Sequence, residues 1–248
     1  MFRGFGTILN VVTVLAGTGL GVLLGHRLPT RTRDVVTDAI GLVTLLIAAF
    51  STFAVRDEAL VRAVGSNAPM LIVLGSLVVG GVIGSLLRLE SRLEGVGDGL
   101  QRLLAGDSAS AERRRFVEGF VSASLLFCVG PLTVLGSISD GLGRGSEQLA
   151  LKATLDGIAA VAFAASFGWG VAAAALAVLV IQGALTVVGA LAGTFLSSAQ
   201  VSALTATGGL LLVGVALRLL RIRQLPVGDL LPALVLAPIL TLVVAAFR

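Results

Sequence analysis

Two carboxylates, one lysine and two amides lie in stretches too apolar to keep them in solvent. Asp156 immediately precedes the longest uncharged run, residues 157–217. A carboxylate at the centre of a membrane helix costs about 2.5–3.5 kcal/mol on insertion scales, so it faces a partner or a water-filled path. Lys152, the only lysine in the chain, stands four residues earlier on the same helical face, within pairing reach. The pair reads either as part of a site for a small cation or as an ion pair at a helix end near the headgroups. Asp140 heads a glycine-rich stretch, Gly141-Leu142-Gly143-Arg144-Gly145, and with Ser137 and Ser139 nearby it is expected in a loop or cap. Asn10 and Gln182 are amides inside apolar runs. They can hydrogen-bond across helices, each bond worth about 0.6–2 kcal/mol.

A second chemical feature is the Gly130-Pro131 step near the middle of the run Phe120–Asp140. Proline removes one backbone donor and frees the carbonyl four residues earlier, that of Phe127. Within a bilayer this oxygen needs a neighbouring helix, a water or an ion. Phe127, Cys128, Gly130, Pro131 and Ser137 therefore join Asp156, Lys152, Asp140, Asn10 and Gln182 as candidate substrate- or ion-binding residues. A plain proline kink is the alternative.

Other chemistries find little support. His26 is the only histidine and Cys128 the only cysteine, which argues against a thiolate or imidazole metal site. No G-x-S-x-G, H-E-x-x-H or P-loop pattern occurs, so neither cofactor nor catalytic residue is expected and the chain reads as a non-enzyme. A hydrolase using Asp140 and Asp156 is the weakest reading, because Gly143-Arg144-Gly145-Ser146 stands where a G-x-G-D motif would be needed. The pI of about 10.9 does not signal nucleic acid: the net charge is only +4, and the arginines gather between apolar runs.

The elements that must position these residues are membrane helices. Of 248 residues 56% are hydrophobic and 13% charged, and the mean hydropathy is +1.03. Uncharged runs cover 5–25, 39–55, 69–87, 119–139, 157–217 and 230–247. A span needs about 20 apolar residues. The long run breaks naturally at Phe167-Gly168-Trp169-Gly170 and at Ser197-Ser198-Ala199-Gln200, which gives about eight spans. Runs such as Leu45-Leu46-Ile47-Ala48-Ala49-Phe50 do not alternate, which excludes barrel strands. The expected fold is all-α: a polytopic transmembrane bundle forming one integral domain, 1–248, with one Gly-Pro-broken helix. Segment 149–167 is the weakest span. Residues 88–118 mix charges with leucines at helical spacing, the pattern of a cytoplasmic amphipathic connector.

With eight spans, one side carries twelve basic residues, among them Arg27, Arg31, Arg33, Arg88, Arg113 and Arg218, and the other six. The positive-inside rule then places both termini outside. An internal echo also emerges. Gly17/Gly21 and Gly189/Gly193 are G-xxx-G steps, preceded seven residues earlier by Asn10 and Gln182. Each is followed by a Gly-led span at Gly41 or Gly209, then a proline-headed one at Pro69 or Pro232. Spans 1–3 and 6–8 thus read as an inverted repeat, an arrangement found in secondary transporters, or as convergent Gly and Leu usage.

The run Leu126-Phe127-Cys128-Val129-Gly130-Pro131-Leu132-Thr133-Val134-Leu135-Gly136-Ser137-Ile138-Ser139-Asp140-Gly141-Leu142 resembles the YqgA-like bacterial membrane proteins, domain of unknown function 554. Lys152-Ala153-Thr154-Leu155-Asp156-Gly157, Ile181-Gln182-Gly183 and Leu231-Pro232-Ala233 extend the resemblance over nearly the whole chain. It implies a protein of the bacterial inner (cytoplasmic) membrane, a suggested sodium channel or pump, with no catalytic residues to carry over. The expected activity is a secondary transporter or a Na⁺- or H⁺-conducting protein. Its expected partners are the lipid bilayer, a small cation or small-molecule substrate, and a second copy of itself, the G-xxx-G faces serving either such a contact or internal packing. A non-transporting scaffold or regulator is the alternative.

Overall fold

The computed structural model describes residues 2–27, 29–105, 110–128, 131–192 and 196–247. Every regular element among them is helical. In order these are α1 (Phe5–Arg27), α2 (Thr30–Thr52), α3 (Glu58–Val64), α4 (Ala68–Leu86), α5 (Leu89–Ala105) and α6 (Ser110–Cys128). Then come α7 (Pro131–Gly141), α8 (Glu147–Phe167), α9 (Gly170–Ala192), α10 (Ser198–Leu219) and α11 (Pro232–Ala246). Single 3-10 turns occupy Phe53–Arg56 and Val227–Leu230.

Seven helices, α1, α2, α4, α8, α9, α10 and α11, are long and apolar enough to cross a membrane. An eighth span results if α6 and α7, which diverge by 64°, count as one. Gly130 of the Gly-Pro step lies outside the described residues. The long uncharged run divides where its composition changes. Gly168 ends α8 with φ +72°, a conformation that favours glycine, and its N–H bonds to the Ala164 carbonyl. Ser197 and Gln200 start α10 with a capping box, in which each side chain bonds the other residue's backbone N–H. Segment 149–167 falls within α8, the least apolar of the seven. Large side chains such as Phe50, Met70 and Leu86 are exposed, as expected of surfaces that face acyl chains rather than water.

Contacts group the helices into two units. The first comprises Met1–Ile40 and Leu93–Thr194. Here α1 and α8 run parallel along a glycine ladder. Gly6 meets Leu149, Gly17 meets the Gly157 carbonyl and Ala160, and Gly21 meets the Val161 carbonyl and Ala164. Gly25 then meets Ala165, so the positions advance together. A Cβ at Gly17 or Gly21 would overlap carbonyl oxygens of α8, whereas one at Gly19 would meet nothing. Small residues at this spacing bring backbones together where lipid supplies no hydrophobic drive. The tight turn after α8 sends α9 back antiparallel, and Thr7 and Thr186 share a hydrogen bond of 3.3 Å. Helix α6 packs beside α9 through Phe116 and Gly170, and α7 crosses α9 where Ile138 meets Gly189 and Gly141 meets the Thr186 carbonyl.

The second unit comprises Gly41–Arg92 and Phe195–Arg248. Its core gathers Leu60, Val64, Ile72, Ala199, Ala203 and Ala237 from α3, α4, α10 and α11. Gly41 meets Leu220 and Gly209 meets Thr52, so the end of α2 runs antiparallel to α10. Gly80 meets Ala233 and Gly75 meets Leu240, making α4 and α11 antiparallel as well. The helices matched by the sequence echo thus touch in antiparallel pairs: α1 with α9 in the first unit, and the end of α2 with α10 and α4 with α11 in the second. Gly193, the last glycine of the echo, lies outside the described residues.

Candidate functional site

The first unit contains a polar centre whose members come from helices far apart in sequence. Asp156 is the tenth of the 21 residues of α8, about 14 Å from the first by helical rise. It is therefore near the middle of α8 rather than at its end. Lys152 and Asp156 are both buried, at 6% and 8% exposure. Lys152 Nζ donates to Asp156 Oδ2, and Asn10 Nδ2 of α1 donates to the same oxygen at 2.9 Å. Cys128, at the end of α6, lies within electrostatic reach of both charges. A buried ion pair needs further hydrogen bonds to offset its desolvation, and Asn10 supplies one.

Several buried acceptors and donors of the first unit have no partner among the described residues. They include Asn10 Oδ1, both amide atoms of Gln182 and the Ser137 hydroxyl, all on fully buried side chains. Gln182 is level with Asn10: from the Thr7–Thr186 contact, each lies one helical turn inward along antiparallel helices. Unsatisfied buried groups are few in native proteins and mark water, ions or ligands. In hydrocarbon the penalty for leaving them unmet is several kcal/mol each, on the order of a lost hydrogen bond in an apolar medium.

One expectation is corrected. Asp140 is neither in a loop nor capping its own turn. It is buried in the last turn of α7, and its Oδ2 accepts the Gly6 N–H at 3.0 Å. A carboxylate there neutralises the open N–H groups and positive end of α1, so a helix 134 residues away is the one capped. Asp140 sits at the level of Gly6, which also packs on Leu149. Asp156 is seven residues, about 10 Å, further along α8, and the two carboxylates have different partners. The Phe127 carbonyl finds one partner on the neighbouring helix α7. Thr133, two residues past the proline, donates its hydroxyl to that oxygen at 3.2 Å. The hydroxyl replaces the N–H that Pro131 lacks. The Phe127 ring itself is buried against Phe163, with centroids 6.3 Å apart.

Reading the sequence residue by residue missed Thr133, Thr7 and Thr186. Only Thr133 carried a local signal, its position just after a mid-span proline. It also missed an ion pair in the second unit. Arg218, read as a topology signal, is buried and donates to Glu90 and to the Leu225 carbonyl. Glu90 accepts the Gly228 N–H at 2.6 Å, while Asp229 accepts the Glu90 N–H at 2.8 Å. No local spacing reveals partners 128 residues apart. No group of three or more His, Cys, Asp or Glu arranged for a metal occurs among the described residues.

Apolar spanning helices around a buried, incompletely paired polar centre define a polytopic helical membrane protein. The chain belongs to the family described as "Protein of unknown function (DUF554)", which it matches over residues 5–242. It is 28% identical over 243 residues to the "Uncharacterized membrane protein YdfK" of Bacillus subtilis (strain 168), covering 98% of each chain. It is 30% identical over 232 residues to the "Uncharacterized protein YqgA" of Escherichia coli (strain K12), covering 94% of each. No solved structure matches the chain significantly.

Proposed function

We propose that the protein is a secondary transporter or conductor of a small monovalent cation, Na⁺ or H⁺, in the bacterial inner membrane, with Asp156 as the cation-binding carboxylate. One observation carries the reading. Asp156 is held midway along α8 by Lys152 and Asn10 through a single oxygen, Asn10 keeps its amide oxygen unused, and Gln182, level with Asn10 on α9, keeps both amide atoms unused. Intramembrane carboxylates mark ion paths and proton relays. Lys152 acts here as a built-in counter-cation. A proton or Na⁺ reaching Asp156 displaces it, so the carboxylate alternates between internal and external partners. The Asn10 and Gln182 oxygens and the Asp156 carboxylate are hard ligands suited to such an ion. The antiparallel pairing of α1 with α9, α2 with α10 and α4 with α11 supports an inverted repeat, the architecture of many secondary transporters.

The test is thermal unfolding of the purified protein in detergent with Na⁺, K⁺, Li⁺ and varied pH, followed by flux in proteoliposomes. A ligand that binds only the folded state raises stability by RT ln(1 + [L]/Kd). A shift specific to one cation is expected in the wild type and should vanish in Asp156→Asn. Gln182→Leu separates site from scaffold. Removing an unpartnered amide leaves stability equal or raises it by about 1 kcal/mol, and on the present reading it also weakens the cation response. A cation response absent from a folded wild type would favour the non-transporting scaffold.

A further inference from the structure

A cavity of about 240 Å³ opens at the other end of the first unit, where α1 and α8 finish and α6 begins. Its lining includes Arg33, Gln101, Glu112, Arg115, Phe116 and Trp169. Two guanidinium groups are fixed there by helix-end carbonyls. Arg33 donates Nε and Nη2 to the Gly25 carbonyl, at 3.0 and 2.6 Å. Arg115 donates Nε to the Ser166 carbonyl at 2.5 Å and Nη2 to that of Ala165 at 3.5 Å. Ser166 ties the two together, since its hydroxyl donates to the Arg33 carbonyl at 3.2 Å.

Helix capping alone accounts for part of this, because cations are favoured at helix C-termini. It does not account for two like charges on one cavity. Arg33 and Arg115 are close enough to repel, and each keeps Nη1 without a partner among the described residues. Glu112 offsets one of the two charges, and a surplus positive charge remains. Trp169, 59% exposed at the cavity rim, has the amphipathic ring that settles at the headgroup level of a bilayer. The same end of the unit carries Arg27 and Arg31, also exposed.

We infer that this cavity binds a phosphate-type oxyanion, with the two Nη1 groups of Arg33 and Arg115 as its donors and Trp169 at its edge. Arginine presents a planar fork suited to phosphate oxygens. Basic pockets between membrane helices take anionic headgroups. The phosphodiester of an anionic phospholipid and free inorganic phosphate share that chemistry.

Trp169 is the only tryptophan, so its fluorescence reports on the cavity. The delipidated full-length protein in neutral detergent is titrated separately with phosphatidylglycerol, phosphatidylcholine and inorganic phosphate. A saturable emission shift with phosphatidylglycerol but not phosphatidylcholine assigns the site to anionic lipid. A shift with inorganic phosphate assigns it to a soluble anion. Arg33→Gln and Arg115→Gln each weaken the response about tenfold, corresponding to one lost charge-assisted contact of about 1.4 kcal/mol. Glu112→Gln, which touches none of the carbonyl anchors, strengthens it and serves should the arginine variants fail to fold. No saturable response to either anion overturns the inference. So does equal response to the zwitterionic lipid, or weaker binding in Glu112→Gln.

Discussion

At the scale of single residues, Asp156 is decided by what surrounds it. A lysine one turn away on the same helix reaches it, and an asparagine from another helix donates to the same oxygen. Breaking a buried pair by removing one partner is more costly than replacing both, because a lone charge stays behind. Lys152→Met alone is therefore expected to lose about 3–5 kcal/mol, and Asp156→Leu alone a similar amount. The double variant should lose markedly less than their sum. Thermal unfolding of the four proteins in one detergent gives the coupling directly, and additive losses would show that the pair is not coupled. Thr133 illustrates how a single hydroxyl changes a prediction: a carbonyl that proline ought to leave open is already bonded.

At the scale of elements, the contact of α1 with α8 depends on which glycines face the partner. Gly17 and Gly21 lie against carbonyl oxygens of α8, and Gly19 on the same helix lies in open space. Gly17→Ala and Gly21→Ala should each destabilise by about 1–3 kcal/mol, the usual range for overpacking. Gly19→Ala should be neutral or slightly stabilising, since alanine is the better helix former. A melting series of the three variants checks this, and equal behaviour would mean that α1 does not pack through this face. Outside the spans, Asp98 of α5 pairs with Arg113 of α6 at 2.6 Å. The hydrogen bond from Arg113 chiefly holds the Asp98 carboxyl below its ordinary value of 3.8, slight burial works against it, and the charges of Arg113 and Arg102 add to it. A depressed acid stabilises above its unfolded value and loses that contribution as pH falls through the folded one. The stability difference between wild type and Arg113→Gln should therefore be present at neutral pH and shrink below about pH 4. Both groups are more than one-third exposed, so the effect is expected to be small and salt-sensitive.

At the scale of the whole molecule, the arginine distribution makes an orientation prediction. With the bent pair α6–α7 counted as one of eight spans, twelve basic residues against six predict both termini outside. In a Cys128→Ser background, Arg92→Cys should be shielded from a membrane-impermeant thiol reagent in intact cells. A cysteine replacing Phe2 should be labelled. The reverse pattern would invert the topology and put the Arg33–Arg115 cavity on the outer face.

Apolar runs and glycine and proline punctuation made the helical class and seven of the spans readable in the sequence, with the bent pair α6–α7 as the eighth candidate, because lipid requires each span to satisfy its own backbone locally. Local spacing was also enough to bring Lys152 within reach of Asp156, as both lie on one face of one helix. The tertiary structure alone decided that Asn10 completes this pair, that Asp140 caps α1 and that Arg218 meets Glu90. It also decided that the carbonyl freed at Phe127 goes to Thr133. The first three contacts join residues 128–146 positions apart. Which helix lies against which is set by glycine faces that look alike along the chain until a partner's backbone occupies one of them.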